Sequence, residues 1–586
     1  MLAGMVQASE RLNPYTNEEG ATERRNLVLQ TMVDNGYIEQ ADADQAKQQP
    51  LGIVDSPETL SNGCIGAGDR GFFCDYAVDY LDQHGIDLDE IKRGGYIINT
   101  TLDPQIQDAA KAKVNEMTSP TEPGVAEVMN VVKPSPTDRE VLAMVSSRTY
   151  GLNADNYETI LPQPNSQVGN GAGSVFKVFT AAAAIEAGYG IKSMVDVPRR
   201  YEAKGLGNGG AEGCPPDTYC VENTGSYKPT MTLEEALAES PNTAFIKLVE
   251  QVGMEAVVNK SVDLGLRSYA KENSYSGDGS LADFAKAAPL GSYTLGPTAV
   301  NPLELANVGA TIASGGTWCE PNPISSVTDR YGNEVYVESP PCERAMEKDA
   351  ADALANAMTA DTEYGTGAQA ANIEGFTGRA SAKTGTTESN QSAAFLGFNS
   401  GMAAAPYIFN DGTSTSSLCS APVRQCENGG LFGGNEPART FYGVASQVPH
   451  GTNGNIANYD REFDGGRTNP ALRDIQGKTE QEARTNLEGR GFKVEVSTTA
   501  SDDIPRGRVV RAITGPDGLD DGAKITIQVS SGPSQPPAPA PSGQPGNAGG
   551  DGQPPARQPG RRSPDSLFSP EALDDIANQL RDAFGL

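Results

Sequence analysis

Histidine is nearly missing from this chain of 586 residues, which holds only His84 and His450. A serine hydrolase of the triad type needs a positioned imidazole as its base. His84 lies in a Gln-His-Gly turn and His450 in Pro-His-Gly-Thr, settings that suit surface or structural roles better than catalysis. Long apolar runs are missing too. Nothing approaches the roughly 18 residues a membrane helix needs, and no basic-then-apolar export segment opens the chain. Positive charge is in short supply: 45 Lys and Arg stand against 76 Asp and Glu, a net charge of -31. Nucleic acid and anionic bilayers would both repel such a chain. What is present is length, enough for roughly two to four domains.

The eight cysteines fall into four close pairs: Cys64 and Cys74, Cys214 and Cys220, Cys319 and Cys342, Cys419 and Cys426. None has the spacing of a zinc site, and no histidine lies near to complete one. The pattern predicts four local disulfides and an oxidising, extracytoplasmic compartment, with nearest-neighbour pairing one choice among about 105. Such a protein needs an export signal. The opening Met1-Leu-Ala-Gly-Met5 begins within helix-forming sequence, so an N-terminal portion carrying the membrane anchor is expected upstream.

Along the chain, residues 1–50 read as short helices, one from Glu19 to Asn35 and one near Ala41–Gln48. A helix near Tyr76–Leu81 and a strand at Tyr96–Thr101 follow. Asp103-Pro104 then supplies an N-cap and a first-turn proline. Hairpin strands are predicted at Val125–Val132 and Val141–Val145, and helices from Ser174 to Gly188, from Pro241, and over Pro302–Ser314. Helices mixed with antiparallel strands make an α+β enzyme domain. Beyond Asn469, Thr479 and Glu482 form a capping-box pattern, and alternating strands appear at Phe492–Val496 and Ile525–Val529. Residues 532–565 are Pro/Gly-rich and expected to be disordered. Residues 566–586 read as an amphipathic helix with Leu573, Ile576, Leu580 and Phe584 on one face.

Without histidine, a serine can be activated by a lysine whose pKa is lowered by burial and neighbouring positive charge. Ser174 and Lys177 are three apart, on one face of a helix that is apolar around them (Val175, Phe176, Val178, Phe179). A serine at a helix start also meets the positive end of the dipole, which favours a developing oxyanion. Chance alone would supply Ser-x-x-Lys about twice in such a length, so the setting carries the reading. Ser240-Pro241-Asn242 comes next. Ser240 as N-cap and Pro241 at the first helical position would explain two of the three without chemistry, but not Asn242. Lys383-Thr384-Gly385-Thr386 follows on a strand candidate, where glycine marks close backbone approach and lysine with hydroxyls can anchor a carboxylate. The ordered set is jointly very unlike an accident.

These three motifs, Ser-x-x-Lys, Ser-x-Asn and Lys-Thr-Gly, resemble those of the penicillin-recognising serine enzymes. The flanking text over 125–400 is closest to the transpeptidase domain of class A penicillin-binding proteins: Ala238–Phe245, Pro302–Ala306 with Gly315-Gly316, and Gly365-Thr366-Gly367. Residues 1–60 resemble the tail end of that family's glycosyltransferase domain, through Leu2–Ala8, Asn13-Pro14-Tyr15 and Arg24-Arg25-Asn26. The glycan-polymerising motif is expected upstream, so this stretch is not expected to polymerise glycan. Residues 470–531 resemble a single PASTA repeat, opening atypically at Leu472. Ala382 stands where the family usually has glycine.

The resemblance implies a penicillin-binding transpeptidase fold, an antiparallel sheet flanked by helices, over 125–455, after a linking region at 61–124. The small α/β PASTA module and the Pro/Gly-rich tail follow it. It also implies D,D-transpeptidation through an acyl-serine. Ser174 attacks the D-Ala-D-Ala end of a stem peptide, Lys177 takes its proton, and Ser240 with Lys383 passes a proton to the leaving amine. Asn242 holds the substrate backbone, while Thr384, Gly385 and Thr386 bind the terminal carboxylate and complete the oxyanion hole. No cofactor or metal is implied. The implied partners are peptidoglycan stem peptides, β-lactams, and cell-division or elongation proteins. Rival readings are a β-lactamase, a D,D-carboxypeptidase, and a non-enzymatic wall sensor that binds β-lactams or muropeptides.

Overall fold

Two valine-rich runs set the middle of the molecule. In the computed structural model, which describes residues 11–15, 17–53, 63–275, 279–412, 416–424, 430–466, 470–501, 504–515, 519 and 522–533, they form β1 (Val125–Val132) and β2 (Val141–Ser146). The two strands pair antiparallel. Every residue of both is buried, as expected of β-branched runs covered on two faces. The sheet is completed by β3 (Ser381–Thr386), β4 (Ser392–Phe398), β5 (Ala403–Ala404) and β6 (Tyr407–Asn410). β3 pairs with β4, and β5 and β6 both lie between β4 and β1, all antiparallel. β5 and β6 are two pieces of one strand position, broken at Pro406, which has no N–H for the ladder. Its carbonyl still accepts from Phe395 N at 3.0 Å.

Helices cover both faces. α1 (Pro104–Met117) starts as read from sequence, with Asp103 accepting from the amides of Gln105 and Ile106 and Pro104 in the first turn. Further helices that frame the site are α2 (Lys177–Glu186), α3 (Leu233–Glu239), α4 (Asn242–Val252), α5 (Pro302–Ala313), α6 (Lys348–Glu363) and α7 (Glu436–Gln447). Phe395 joins Ile106 and Val114 of α1 and Phe441 and Tyr442 of α7 in one apolar cluster. Leu396 and Phe398 point the other way, toward Gly309 of α5. Lys383 stands opposite Leu396 and Ala382 opposite Gly397. The period of two along β3 therefore sends Lys383 to the α5 side. Ala382, the departure noted in the sequence, is fully buried on the opposite side within the α1/α7 cluster, where its methyl adds to the packing.

At the motif residues the structure corrects three expectations. The helix expected from Ser174 begins with a 3₁₀ turn, Gly173–Phe176, before α2 proper. The helix expected from Pro241 begins at Asn242, with Pro241 as N-cap. Ser240 caps no helix start. It closes α3 in a left-handed conformation, φ 64° and ψ 38°.

The C-terminal module is built on α8 (Glu480–Glu488), β7 (Lys493–Thr499), β8 (Val509–Thr514) and β9 (Lys524–Ser530). The predicted capping box of Thr479 and Glu482 is present. β9 lies centrally, parallel to β7 and antiparallel to β8. Leu472, Ile475, Ala483, Leu487, Ile525 and Ile527 fill the core between helix and sheet. The residues up to Gly66 form a separate unit. There Asn17 caps the helix Glu18–Asp34, and buried Arg25 donates to the carbonyls of Lys47 and Gln49.

Of the expected disulfides, Cys214–Cys220 and Cys319–Cys342 are formed. Cys64, Cys74 and Cys419 are each disulfide-bonded, and Cys426 lies outside the described residues. The expected disordered stretch, apart from its first two residues, and the terminal amphipathic helix also lie outside them. Among the described residues no helix is long and apolar enough to cross a membrane.

Candidate active site

Three segments distant in sequence meet at the end of β3. The turn that carries Ser174 lies against this strand with unusually close backbones. A side chain added at Gly173 would strike the backbone of Thr386, and one at Gly385 would strike the carbonyl of Ala172. Gly173 also has φ 57°, a left-handed backbone that glycine adopts without strain. Glycine at both places lets the amides of Ser174 and Thr386 come from two touching segments. Ser174 itself is partly exposed, while Val175, Phe176 and Lys177 are buried.

Lys177 is wholly buried at the start of α2. Its Nζ lies 2.6 Å from the Ser240 carbonyl, 3.1 Å from Ser240 Oγ and 2.8 Å from Asn242 Oδ1. The Phe245 ring centroid is 5.5 Å away. Burial, reinforced by the positive charge of Lys383, holds its pKa well below the ordinary lysine range. A lysine so placed gives up its proton more readily than an exposed one, and the neutral amine that results can accept a proton.

Lys383 approaches Ser240 from the other direction. Its Nζ donates to Ser240 Oγ at 2.9 Å and to the Thr384 carbonyl at 3.0 Å. Burial lowers its pKa to about 8, against an opposing pull from Asp361. One hydroxyl thus sits between two buried lysines. The left-handed backbone of Ser240 turns it there. Such a conformation costs a non-glycine residue about 1 kcal/mol or more and persists only when the surroundings hold it.

Asn242 is fixed by a residue that sequence reading missed. Asn223 Oδ1 accepts from the amides of Asn242 and Thr243 at 2.7 and 3.1 Å, and its Nδ2 donates to Thr243 Oγ1. It thereby caps α4 from a distant loop. Thr366 was also missed as a site residue, although its Gly-Thr-Gly surroundings were noted. Its hydroxyl hydrogen-bonds that of Thr384 and also reaches Asp361 Oδ1 at 2.7 Å. Thr386 Oγ1 accepts from Gly433 N at 3.0 Å. Apart from Thr366 within its Gly-Thr-Gly, no local signal could have found these residues, because each is a single polar residue whose partner is far away in sequence.

All the predicted residues are therefore brought together: Ser174, Lys177, Ser240, Asn242, Lys383, Thr384, Gly385 and Thr386. The histidines stand in other settings. His84 stacks on Tyr80 and contacts Glu320 at 2.9 Å, and His450 lies in a short helix, Pro449–Thr452.

Comparison with known proteins finds similarity over the region that holds these residues. Residues 129–398 match the penicillin binding protein transpeptidase domain, and residues 471–531 match the PASTA domain. Penicillin-binding protein 1A of Mycolicibacterium smegmatis is 27% identical over 423 residues, covering 70% of this chain and 49% of that protein. Penicillin-binding protein 2D of Bacillus subtilis is 26% identical, covering 71% and 55%. The chain thus spans about half the length of these curated relatives. Among solved structures, the penicillin-binding protein PonA1 of Mycobacterium tuberculosis superposes with a TM-score of 0.54 at 21% identity, covering 68% of this chain and 97% of that one. This likeness is one of fold.

Proposed function

Starting from a chain built on a penicillin-binding protein transpeptidase domain followed by a PASTA domain, we propose that it is a serine D,D-transpeptidase. It cross-links peptidoglycan stem peptides and is acylated by β-lactams. The observation that carries this reading is Ser240 Oγ, held at 3.1 Å from Lys177 Nζ and 2.9 Å from Lys383 Nζ. Ser174 Oγ attacks the carbonyl of the penultimate D-alanine while Lys177 takes its proton. The amides of Ser174 and Thr386 stabilise the oxyanion. As the tetrahedral intermediate collapses, the C–N bond breaks and Ser240 hands a proton to the departing D-alanine amine. The proton on Lys177 replaces the one Ser240 gives up. An amine from a neighbouring stem peptide then attacks the acyl-serine, releasing Ser174 and completing the cross-link.

Asn242 positions the substrate amide, and Lys383 with the Thr384 and Thr386 hydroxyls receives the terminal carboxylate. That pairing is charge-assisted, which favours a carboxylate end over an amide. The expected setting is the extracytoplasmic face of the cell envelope, in keeping with the disulfides.

The test is covalent labelling by a fluorescent penicillin, with Ser174→Ala alongside. Stable labelling that the variant loses supports the reading. Rapid release of label would instead indicate a β-lactamase, and absence of labelling would remove Ser174 from the reaction. Incubation with a lipid-linked glycan carrying pentapeptide stems then separates cross-linked products from trimmed tetrapeptides, the product of a carboxypeptidase. A wall sensor would give neither.

A further inference from the structure

Lys177 and Lys383 have nearly the same immediate surroundings. Both are fully buried, and the Nζ of each lies within 3.1 Å of Ser240 Oγ and of a backbone carbonyl oxygen. Acyl transfer needs them to differ, because one must be a free base while the other stays charged. Asp361 stands on one side of this pair. It lies on α6, is 1% exposed, and accepts through Oδ1 from Thr366 Oγ1 at 2.7 Å and Gly367 N at 3.1 Å. Thr366 in turn hydrogen-bonds Thr384, the neighbour of Lys383 on β3. Asp361 Oδ2 is buried with no hydrogen-bond partner. A carboxylate placed beneath the Lys383 strand, with an oxygen left unsatisfied, has a large energetic reason to act as a counter-charge.

We propose that Asp361 is a positioning residue that breaks the symmetry of the two lysines, keeping the proton on Lys383 so that Lys177 is left as the free base. The inference rests on the acyl-transfer reading of this site. Its geometry gives the hydrogen bonds a consistent direction. Lys383, as an ammonium, donates to Ser240 Oγ. Ser240 can then donate its own proton to the lone pair of Lys177, whose two N–H groups go to the Ser240 carbonyl and Asn242 Oδ1.

Electrostatics agree with this polarity. Asp361 draws the pKa of Lys383 upward against burial, whereas burial and the charge of Lys383 both act to lower that of Lys177. Burial raises the Asp361 carboxyl itself, but Lys383, the Thr366 hydroxyl and the Gly367 amide oppose the rise. The remaining ionisable groups around α6 are arranged elsewhere. Tyr442 faces Asp361 with its hydroxyl on Thr362. Glu234, Glu235, Glu239 and Glu363 surround Tyr364 at one end of the helix. Asp349 and Asp352 pair with Lys348 at the other.

The test is the pH profile of the acylation rate with a fluorescent penicillin. In the unaltered protein the rate falls as pH rises through the pKa of Lys383, about 8. Asp361→Asn keeps an oxygen for Thr366 but removes the charge. Without that charge the ammonium of Lys383 is less favoured, so the alkaline fall moves to lower pH, by about one unit or more. A merely structural Asp361 would change the rate equally at every pH. An alkaline fall left in place, in a variant that melts cooperatively, overturns the proposal. Lys383→Arg gives an independent check should Asp361→Asn not fold. A guanidinium stays charged throughout, so the alkaline fall disappears, and its persistence would equally overturn the proposal. Failure of the unaltered protein to label at all would count against the acyl-transfer reading itself.

Discussion

The candidate active site and the C-terminal module both bury basic side chains without a hydrogen-bonded carboxylate, lysines in the first and an arginine in the second. In the first, Lys177 and Lys383 meet hydroxyl, amide and carbonyl oxygens. In the second, ion pairs such as Lys524–Glu495 and Arg484–Glu488 remain at the surface, and the core is apolar. Its buried cation is Arg511 on β8, which points out of the module's own core. Arg511 Nη1 donates to Ser193 Oγ and the Gly465 carbonyl, and its guanidinium lies 4.9 Å from the Tyr189 ring centroid. Its Nε and Nη2 are buried with no hydrogen-bond partner. The choice of side chain follows from the work required. A buried lysine can give up its proton and become a base, whereas an arginine cannot and can only fix a contact.

The largest effect that could break this comparison is at the lysine. Lys177→Met should lower the acylation rate about 10²- to 10⁴-fold, read as the label incorporated per unit time, while Ser174→Ala abolishes it. A rate left intact by Lys177→Met would mean that burial of this amine serves structure alone. On the module's side, Leu487→Ala opens a hole in the core and should cost about 2–5 kcal/mol. The module's amides should then lose their protection from hydrogen exchange while acylation proceeds unchanged. A parallel fall in acylation would show that the two regions work as one.

Arg511 sharpens the distinction at a smaller scale. Arg511→Ala removes both the packing over Tyr189 and the bonds to Ser193 and Gly465, and should raise hydrogen exchange around Gly188–Ser193. Arg511→Met keeps an apolar stem and removes a charge whose hydrogen bonding is incomplete, so it should destabilise by less than about 1 kcal/mol or even stabilise. Comparing the two melting temperatures separates packing from charge.

A separate effect, read in melting temperature alone, concerns a buried acid. Glu127 on β1 accepts from Thr118 and Thr440, and burial raises its pKa to about 8. A carboxyl whose folded pKa lies above its unfolded value stabilises the fold at low pH. That contribution is lost as pH climbs from its unfolded value, about 4.5, through 8. Glu127→Gln should flatten this decline in melting temperature.

Much of the site could be read from sequence because each motif states its own geometry. Lys383-Thr384-Gly385 needed a strand and a glycine at a close approach, and β3 supplies both. Ser174 and Lys177 needed three-residue spacing, which the 3₁₀ turn satisfies even though the α-helix starts later than expected. Ser240 was harder. A serine before proline suggests an N-cap, and only the packing of α3 against its neighbours shows the left-handed turn that aims its hydroxyl at the lysines. Asp361, Asn223 and Thr366 act through partners on other elements, so neither periodicity nor spacing announces their contacts. β8 escaped notice because Val509-Val510-Arg511-Ala512-Ile513-Thr514 lacks alternation. Arg511 is buried like its neighbours, by a contact that lies outside the module.

The touching backbones at Gly173 and Gly385 bear on how this protein could evolve under antibiotic pressure. Any side chain at either position would push apart the segments carrying the Ser174 and Thr386 amides, to which the proposed reaction assigns the oxyanion. If the chain cross-links as proposed, resistance gained there would come with loss of that activity. Variants that exclude a drug yet keep the enzyme working are therefore expected among residues bordering the cleft, where a change of shape can tell a bulky ring system from a peptide end.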